Sequence, residues 1–290
     1  MCEIYVSTGA FKSRNLRDVL KLAKNAKLHY IELAPGLKHD EDISYLIKNN
    51  ADVFSFLVHN YFPAPKEDFT LNLASTNSSV INRSMDMCKG NIELCYSLGI
   101  PYYSIHCGFC FDTDGEHLGK SSQVGLDCVP VEVAKDVFIS NLKELCDYAK
   151  QYDIKITIEN NVLAGFASDK KNIMLGVTSE DIKEILERCS RSNLQLLLDL
   201  GHAKVSSKSL NFNLLQMVDD LKEYIMEVHI SDNDGINDLN LPIKQDSYDL
   251  LRCLELLKNK IWTIEAYNLE IKEIEEQIAL LSKSKESRNE

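Results

Sequence analysis

Four hydrophobic runs of this chain each end in a carboxylate or an imidazole, the side chains that bind divalent metals. The four terminal residues are Glu159, Asp199, His229 and Glu265. A polar side chain at the end of a buried strand is costly unless it has a partner. One such residue is compatible with a helix cap or an ion pair, but four at the same level favour a shared ligand. They predict a site for one divalent cation, which could be Mn²⁺, Zn²⁺, Co²⁺ or Mg²⁺.

Three histidines extend this set of candidate residues. His59 and His106 each end a further hydrophobic run, and His202 lies three residues after Asp199. A single histidine at the end of a strand is usually a hydrogen-bonded packing residue. These three share their position with the metal-type residues, which favours a functional role.

The segments that would carry these residues alternate between strands and helices along the whole chain. The strands are mostly continuous apolar runs, as is typical of a parallel sheet that is buried on both faces. Eight segments are predicted strands: Glu3–Ser7, Tyr30–Ala34, Val53–His59, Tyr102–His106, Lys155–Glu159, Leu194–Asp199, Tyr224–His229 and Ile261–Glu265. Amphipathic segments lie between them. Four of these segments follow residues that favour helix N-caps: Asn15, Asp40, Thr178 and Asp246.

Eight strand–helix units in 290 residues predict a single α/β domain, a (β/α)8 TIM barrel. An open doubly wound sheet is the alternative, but the chain lacks the glycine-rich phosphate motifs GxGxxG and GxxxxGK[ST]. The barrel is expected to span residues 1–281, and the polar residues 282–290 are expected to form a disordered tail. The longest irregular stretches, 61–77, 108–129 and 160–176, follow strand ends, where barrels carry their active-site loops.

The composition and net charge argue against several classes of binding partner. The formal net charge is −12 and the pI is about 5.1, which argues against a nucleic-acid footprint and against an anionic membrane surface. No apolar run approaches the ~20 residues of a membrane span. The N-terminal segment is strand-like rather than a signal peptide, and the nine cysteines are scattered. We therefore expect a cytoplasmic protein without a membrane partner.

In their order along the chain, several short motifs resemble the xylose isomerase-like TIM barrel superfamily. This superfamily contains sugar and sugar-phosphate isomerases and epimerases, together with endonuclease IV-type AP endonucleases. The matching runs are IELAP, VHNYFPAP, LNLAS, SLGIPYYSIHCG, ITIENN, LLLDLGHAK, HISDNDG and IEAYN. They extend over roughly residues 3 to 278. Each motif alone is weak, and the order of the motifs carries the resemblance.

For the isomerase and epimerase branch, the resemblance implies that the four strand-end residues hold one divalent metal. It also implies that Glu159 and Glu265 are the catalytic acid–base pair. Similarity to endonuclease IV would add a second metal at His59, His106 and Glu159, and a third held in part by His202 and Asp238.

The chain departs from the endonuclease pattern next to Asp238. The family pattern D-x-H-x-P-I-G-x-G is replaced by DLNLPIKQD, so that Asn240 stands in the place of the histidine. An amide is a much poorer zinc ligand than an imidazole. The three-metal site is therefore in doubt, whereas the single-metal tetrad is intact.

These observations predict a metal-dependent sugar or sugar-phosphate isomerase or epimerase of carbohydrate metabolism. One glutamate would remove the proton next to a carbonyl, the other would return it, and the metal would stabilise the enediolate. His59 and His106 could then bind the substrate. Four further residues supply polar groups for a small carbohydrate: Asn60, Tyr61, Asn160 and Asn161.

Three alternatives stay open. The first is an AP endonuclease-like phosphodiesterase, which needs two or three metals and a basic rim that faces DNA. The second is a lyase or dehydratase that uses the same enediolate chemistry. The third is a binding barrel without a reaction. The sequence also leaves open a homo-oligomer and the identity of the substrate.

Overall fold

Eight parallel strands form the centre of the molecule in a computed structural model that describes residues 3–113, 126–167 and 173–286. All eight predicted strands are present, and their ends differ from the prediction by at most two residues. The strands are β1 Ile4–Ser7, β2 Tyr30–Leu33, β3 Ser55–Val58, β4 Tyr102–His106, β5 Lys155–Glu159, β6 Leu194–Asp199, β7 Ile225–Ile230 and β8 Ile261–Ile264. Their order is β3-β2-β1-β8-β7-β6-β5-β4.

Helices follow the strands and cover the outside of the sheet. Those among the described residues are α1 Leu16–Asn25, α2 Ile43–Lys48, α3 Ser78–Leu98, α4 Val131–Lys150, α5 Ser179–Cys189, α6 Leu200–Leu210, α7 Leu214–Leu221, α8 Tyr248–Glu255 and α9 Ile271–Glu286. The predicted single-domain (β/α)8 TIM barrel is therefore confirmed. None of these helices combines the length and the apolar character that a membrane crossing requires.

The barrel closes between β3 and β4 through a short seam. His59, directly after β3, forms a parallel bridge with Ser104 of β4. The next amide, Asn60 N, donates to the Ser104 carbonyl at 2.7 Å. The Tyr103 hydroxyl donates to the Asn60 carbonyl at 2.6 Å. These bonds bring the ends of β3 and β4 together, so His59 and His106 reach the same mouth of the barrel.

Two of the four predicted helix caps are confirmed. Asn15 accepts hydrogen bonds from the first turn of α1, and Thr178 accepts one from Asp181 N in α5. The predictions for Asp40 and Asp246 are wrong, because Asp42 and Ser247 directly precede α2 and α8. Asp40 instead accepts the Asp42 amide in the turn before α2.

The last helix corrects the predicted C-terminal tail. The helix α9 continues to Glu286, so the expectation of disorder is wrong for residues 282–286, and 287–290 lie outside the described part. Leu281 is fully buried, and the Lys285 ammonium lies 4.8 Å from the Trp262 ring centroid. Because of this packing, residues 282–286 are helical, although their polar composition predicts a disordered segment.

A layer of small polar and acidic side chains fills the barrel below its mouth. Thr157 donates to Ser104 at 2.7 Å, and Thr263 donates to Glu227 at 2.6 Å. All four side chains are buried. Each lies two residues before a predicted site residue of the same chain segment, so strand alternation points both members of each pair into the barrel. The candidate site therefore rests on a hydrogen-bonded floor.

Gly176 offers a stability test of the loop that packs beside the site. Its φ is +69°, and an added Cβ would overlap Cys107 Sγ and lie 2.8 Å from Cys107 Cβ. We expect Gly176→Ala to lower the free energy of unfolding by about 1–3 kcal/mol. Gly90→Ala in α3 is the matched control, because nothing lies within 4 Å of its added Cβ. It should raise stability by about 0.5–1 kcal/mol. Urea titration of both variants measures this, and equal shifts would contradict the argument.

Candidate metal centre

The four strand-end residues meet at the mouth of the barrel. Each offers one ligand atom, and all four atoms lie within 4.8 Å of one another. The residues are Glu159, Asp199, His229 and Glu265, and all are buried. Metal–ligand bonds of about 2.0–2.2 Å place the ligands of one ion at most about 4.4 Å apart. The upper bound of 4.8 Å exceeds this distance by only about 0.4 Å, so a small closure of the side chains would let one divalent cation bind all four residues.

Orphaned oxygen atoms indicate that this cluster is built for a cation. Both Glu159 carboxylate oxygens and Asp199 Oδ2 are buried without a hydrogen-bond partner among the described residues. A buried carboxylate oxygen without a hydrogen bond is costly, since folding removes the water that would otherwise bond to it. Asp199 Oδ1, by contrast, accepts the His202 amide at 2.6 Å and caps α6. One oxygen of Asp199 thus serves the helix, and the other is left for a ligand.

His229 and Glu265 form the most tightly bonded pair of the cluster. His229 Nδ1 lies 2.7 Å from Glu265 Oε2. Burial lowers the pKa of His229, but the carboxylates of Glu265 and Glu32 outweigh burial and hold this pKa well above its usual range. Burial raises the pKa of Glu265, but His229 outweighs it and lowers this pKa to about 2. The pair is therefore ionised at neutral pH in the absence of a cation.

Glu159 lies between two further histidines. Its Oε2 is 3.2 Å from His59 Nε2 and 3.3 Å from His106 Nδ1. Burial raises the pKa of Glu159, but His106 and His59 outweigh it and hold this pKa well below its usual range. These three residues also offer ligand atoms within 4.8 Å of one another, as a second cation would need.

His202 lies beside the other carboxylate oxygen of Glu159, with its Nδ1 3.5 Å from Oε1. Its Nδ1 lies 2.9 Å from the Asn160 carbonyl, and its Nε2 lies 3.4 Å from Asp238 Oδ2. Burial lowers the pKa of His202, but Asp199 and Asp238 outweigh it and hold this pKa well above its usual range. Asn240 donates to Asp238 at 3.4 Å and has φ +47°. His202 and Asp238 are thus paired with each other.

The substrate contacts of Asn160 and Asn161 stay a prediction, although both amides bind backbone in this structure. Asn160 exchanges hydrogen bonds with the backbone N–H and carbonyl of Asp199, at 2.7 and 3.0 Å. Asn161 donates to three carbonyls, those of Cys107, Gly108 and Leu175. Both side chains are buried. These residues hold β5 to β6 and anchor the loops, and little of either amide remains for a sugar hydroxyl.

Asn60 and Tyr61 keep polar groups near the seam. Asn60 Oδ1 is buried without a partner in the described part of the chain, and the residue has φ +50°. The Tyr61 hydroxyl accepts the Phe69 amide at 2.9 Å, and the two rings are in edge contact. Their substrate role stays a prediction.

Two buried acids next to or below the candidate site are absent from the sequence-based prediction. Glu32 of β2 lies 2.8 Å from His229 Nε2. Glu227 of β7 lies in the floor, and burial followed by the charge of Glu32 raises its pKa to about 7. Both residues interrupt apolar runs, YIELA and IMEVHI. The same signal that identified the strand-end acids could have found them, had it been applied inside strands.

The open side of the site is marked by partly exposed residues. The His106 and Asp238 side chains are 31% and 27% exposed, whereas the His59 and Glu159 side chains are buried. The Tyr267 hydroxyl donates to Glu265 Oε1 at 3.1 Å, and 42% of Tyr267 is exposed. A ligand that enters between these residues would reach Glu159 and Glu265.

Sequence comparison gives one family and a small set of relatives. The profile of the xylose isomerase-like TIM barrel family matches residues 20–284. The uncharacterized protein MJ1311 of Methanocaldococcus jannaschii is 27% identical over 195 residues, 67% of this chain and 58% of that protein. A probable endonuclease 4 of Thermotoga sp. is 29% identical over 102 residues, 35% of this chain and 29% of that protein. The chain thus spans less than two thirds of each of these relatives.

Solved structures share the fold over their whole length. A D-tagatose 3-epimerase-like protein has a TM-score of 0.74 at 23% identity and covers 98% of this chain and 97% of its own. An L-ribulose 3-epimerase has a TM-score of 0.64 at 15% identity, with coverage of 98% and 91%. The IOLI protein, solved with a bound zinc atom, has a TM-score of 0.68 at 17% identity, with coverage of 99% and 100%.

Proposed function

Because this chain belongs to the xylose isomerase-like TIM barrel family, we propose that it is a divalent-metal-dependent isomerase or epimerase of a sugar or sugar phosphate. The observation that carries the proposal is the buried cluster of Glu159, Asp199, His229 and Glu265, whose ligand atoms lie within 4.8 Å of one another. The epimerase structures with the same fold support it.

In this proposal, Glu159 and Glu265 move the proton. The low pKa of each carboxyl keeps it ionised, so either can accept a proton from the carbon next to a carbonyl. In epimerisation, the second glutamate first takes a proton from solvent and delivers it to the opposite face, while the first glutamate releases the abstracted proton to solvent. In isomerisation, the abstracted proton is delivered to the neighbouring carbon. A divalent cation held by the four residues would supply Lewis-acid stabilisation of the negative charge that develops on the substrate oxygens.

The surrounding histidines would bind and orient the substrate. His106 is the most exposed of them, and it contacts Glu159 from the open side. His202 is fixed by the Asn160 carbonyl and by Asp238, so its ring is pre-oriented. Preorganised donors of this kind strengthen as charge develops on the substrate, because they do not need to reorganise during the reaction.

Deuterium exchange tests the proposed function without knowledge of the product. Protein supplied with Mn²⁺ is incubated with ketoses, aldoses and their phosphates in D₂O and followed by proton NMR. We expect loss of the C–H signal next to the carbonyl of one sugar, together with an epimer or isomer. Loss of a hydroxyl from the product would indicate a lyase or dehydratase. No exchange in protein that has bound the cation would contradict the proposal.

An AP endonuclease-like phosphodiesterase is the second candidate, because His59, His106 and Glu159 could hold another cation. The partial match to a probable endonuclease 4 also favours it. Asn240 in place of a third-metal histidine and the net charge of −12 oppose it. Incision of a duplex with one abasic site at physiological salt, together with two or three bound cations per chain, would replace the isomerase proposal.

A further inference from the structure

The two ring nitrogens of His229 face different carboxylates. Nδ1 lies 2.7 Å from Glu265 Oε2 and 3.6 Å from Glu159 Oε1, on the side of the candidate metal site. Nε2 points away from that site and lies 2.8 Å from Glu32 Oε2. His229 and Glu32 are both fully buried. Only one nitrogen of the ring can therefore serve a cation at the tetrad, and it is Nδ1.

We propose that Glu32 is a positioning residue, which accepts the Nε2–H of His229 and so directs the Nδ1 lone pair at the cation. The proposal rests on the proposed metal-dependent function. A histidine that binds a metal through one nitrogen commonly donates the other N–H to a carboxylate, which fixes the ring and raises its basicity. The acceptor on the second nitrogen decides which nitrogen stays free for the metal.

The placement of Glu32 gives it little freedom. It lies in the middle of the barrel wall, in register with Ser7 of β1 and Leu57 of β3. Glu32 Oε1 has no hydrogen-bond partner among the described residues. The bond to His229 is thus the main compensation for a buried carboxylate, and a charge-assisted bond is strong in such surroundings.

Glu227 provides a matched control in the same interior. Its Oε1 lies 3.8 Å from His229 Nε2, beyond hydrogen-bonding distance, and instead accepts Thr263 at 2.6 Å. It is as deeply buried as Glu32. A change of Glu227 to Gln removes one buried carboxyl near His229 but leaves the Nε2 bond to Glu32 in place.

Cation affinity measures the consequence of the proposed bond. Mn²⁺ and Zn²⁺ dissociation constants are determined by calorimetry for wild type, Glu32→Gln, Glu32→Ala and Glu227→Gln. We expect both Glu32 variants to bind about 10–100-fold more weakly, and the Ala variant to be the weaker of the two. The Gln variant keeps an oxygen that can accept the Nε2–H, so it should keep part of the contribution of Glu32 to cation affinity. Glu227→Gln should stay within about twofold of wild type, and equal weakening in all three variants would overturn the proposal.

The number of bound cations separates a positioning role from a ligand role. Glu32, His59 and His229 also offer ligand atoms within 4.8 Å of one another. If Glu32 were itself a ligand, the Glu32 variants would lose one whole equivalent of cation while the remaining equivalent kept its wild-type affinity. That result would overturn the positioning role.

A measurement on metal-free protein keeps this test separate from the proposed function. With ¹⁵N-labelled histidine, the Nε2–H of His229 should give a ring proton resonance that is protected from exchange. It should persist in Glu227→Gln and disappear in Glu32→Ala. Its persistence in Glu32→Ala would overturn the proposal. If wild type bound no divalent cation but showed this pattern, the metal-dependent function would fail and the proposed bond would stand.

Discussion

A Glu159→Gln variant is expected to turn over its substrate about 10²–10⁴-fold more slowly than wild type. The amide has the size of the carboxylate, but it cannot accept a proton. Burial raises the pKa of Glu159, but His106 and His59 outweigh burial and keep this carboxyl ionised in the wild-type protein. The variant therefore loses the proton acceptor while the shape of the site is preserved.

The rate of product formation at saturating Mn²⁺ is the measurement for this variant, because saturation compensates for weaker cation binding. Glu227→Gln is the control and should keep turnover within about threefold, since Glu227 lies in the floor below the site. A Glu265→Gln variant sharpens the test. If the two glutamates act on opposite faces of one carbon, each single variant keeps one working base. Each variant will then exchange deuterium into one epimer, and the exchanged epimer will differ between the two variants. Full turnover in Glu159→Gln would rule out its role.

Cation affinity is expected to rise by about tenfold per pH unit for each proton that the cation displaces. The His229 pKa is held well above its usual value, as burial is outweighed by Glu265 and Glu32, so Nδ1 carries a proton at neutral pH. Burial also raises the pKa of Asp199 well above its usual range. Glu159 and Glu265 are already ionised and release no proton. Affinity therefore falls as the pH falls below the raised pKa of His229.

Calorimetry from about pH 5.5 to about pH 7.5, repeated in buffers of different ionisation enthalpy, counts the displaced protons. One proton predicts a change of about 10²-fold in affinity over this range, and two predict about 10⁴-fold. A His39→Gln variant is the control, because the His39 ring is bonded only to the Ala64 carbonyl in the described structure. An affinity that is independent of pH would show that His229 is neutral before the cation binds.

The fold and the main cluster were predictable because both depend on local signals. Short segments rich in apolar and β-branched residues predict strands such as Lys155–Glu159, and both ends of this strand are as predicted. Parallel strands of a barrel carry their C-terminal ends to one face, so residues at those ends must approach one another. The proximity of Glu159 to His229 follows from this geometry alone, although the two residues are far apart in sequence.

The remaining parts of the site depend on contacts that no local pattern encodes. Asn161 was assigned to the substrate, but its partners are the carbonyls of Cys107, Gly108 and Leu175, from separate loops. Glu32 reaches across the barrel interior to a histidine 197 positions later. Side-chain direction and pairing across the barrel decide these contacts, and both are set only when the sheet closes.

The hydrogen bond from the His202 amide to Asp199 Oδ1 has an evolutionary consequence. Loss of a helix cap costs about 0.5–2 kcal/mol, so selection for folding alone will retain a capping residue (Asp, Asn, Ser or Thr) at this position. The contacts of Glu159 are instead with histidines of the same candidate site, 3.2 Å to His59 and 3.3 Å to His106, so loss of the reaction would relax selection on the acid and the histidines together. A descendant that abandons the proposed reaction will keep a capping residue at position 199 and can lose the glutamate together with its histidine partners. Among distant relatives, the glutamate is therefore the marker of a lineage that still performs the reaction.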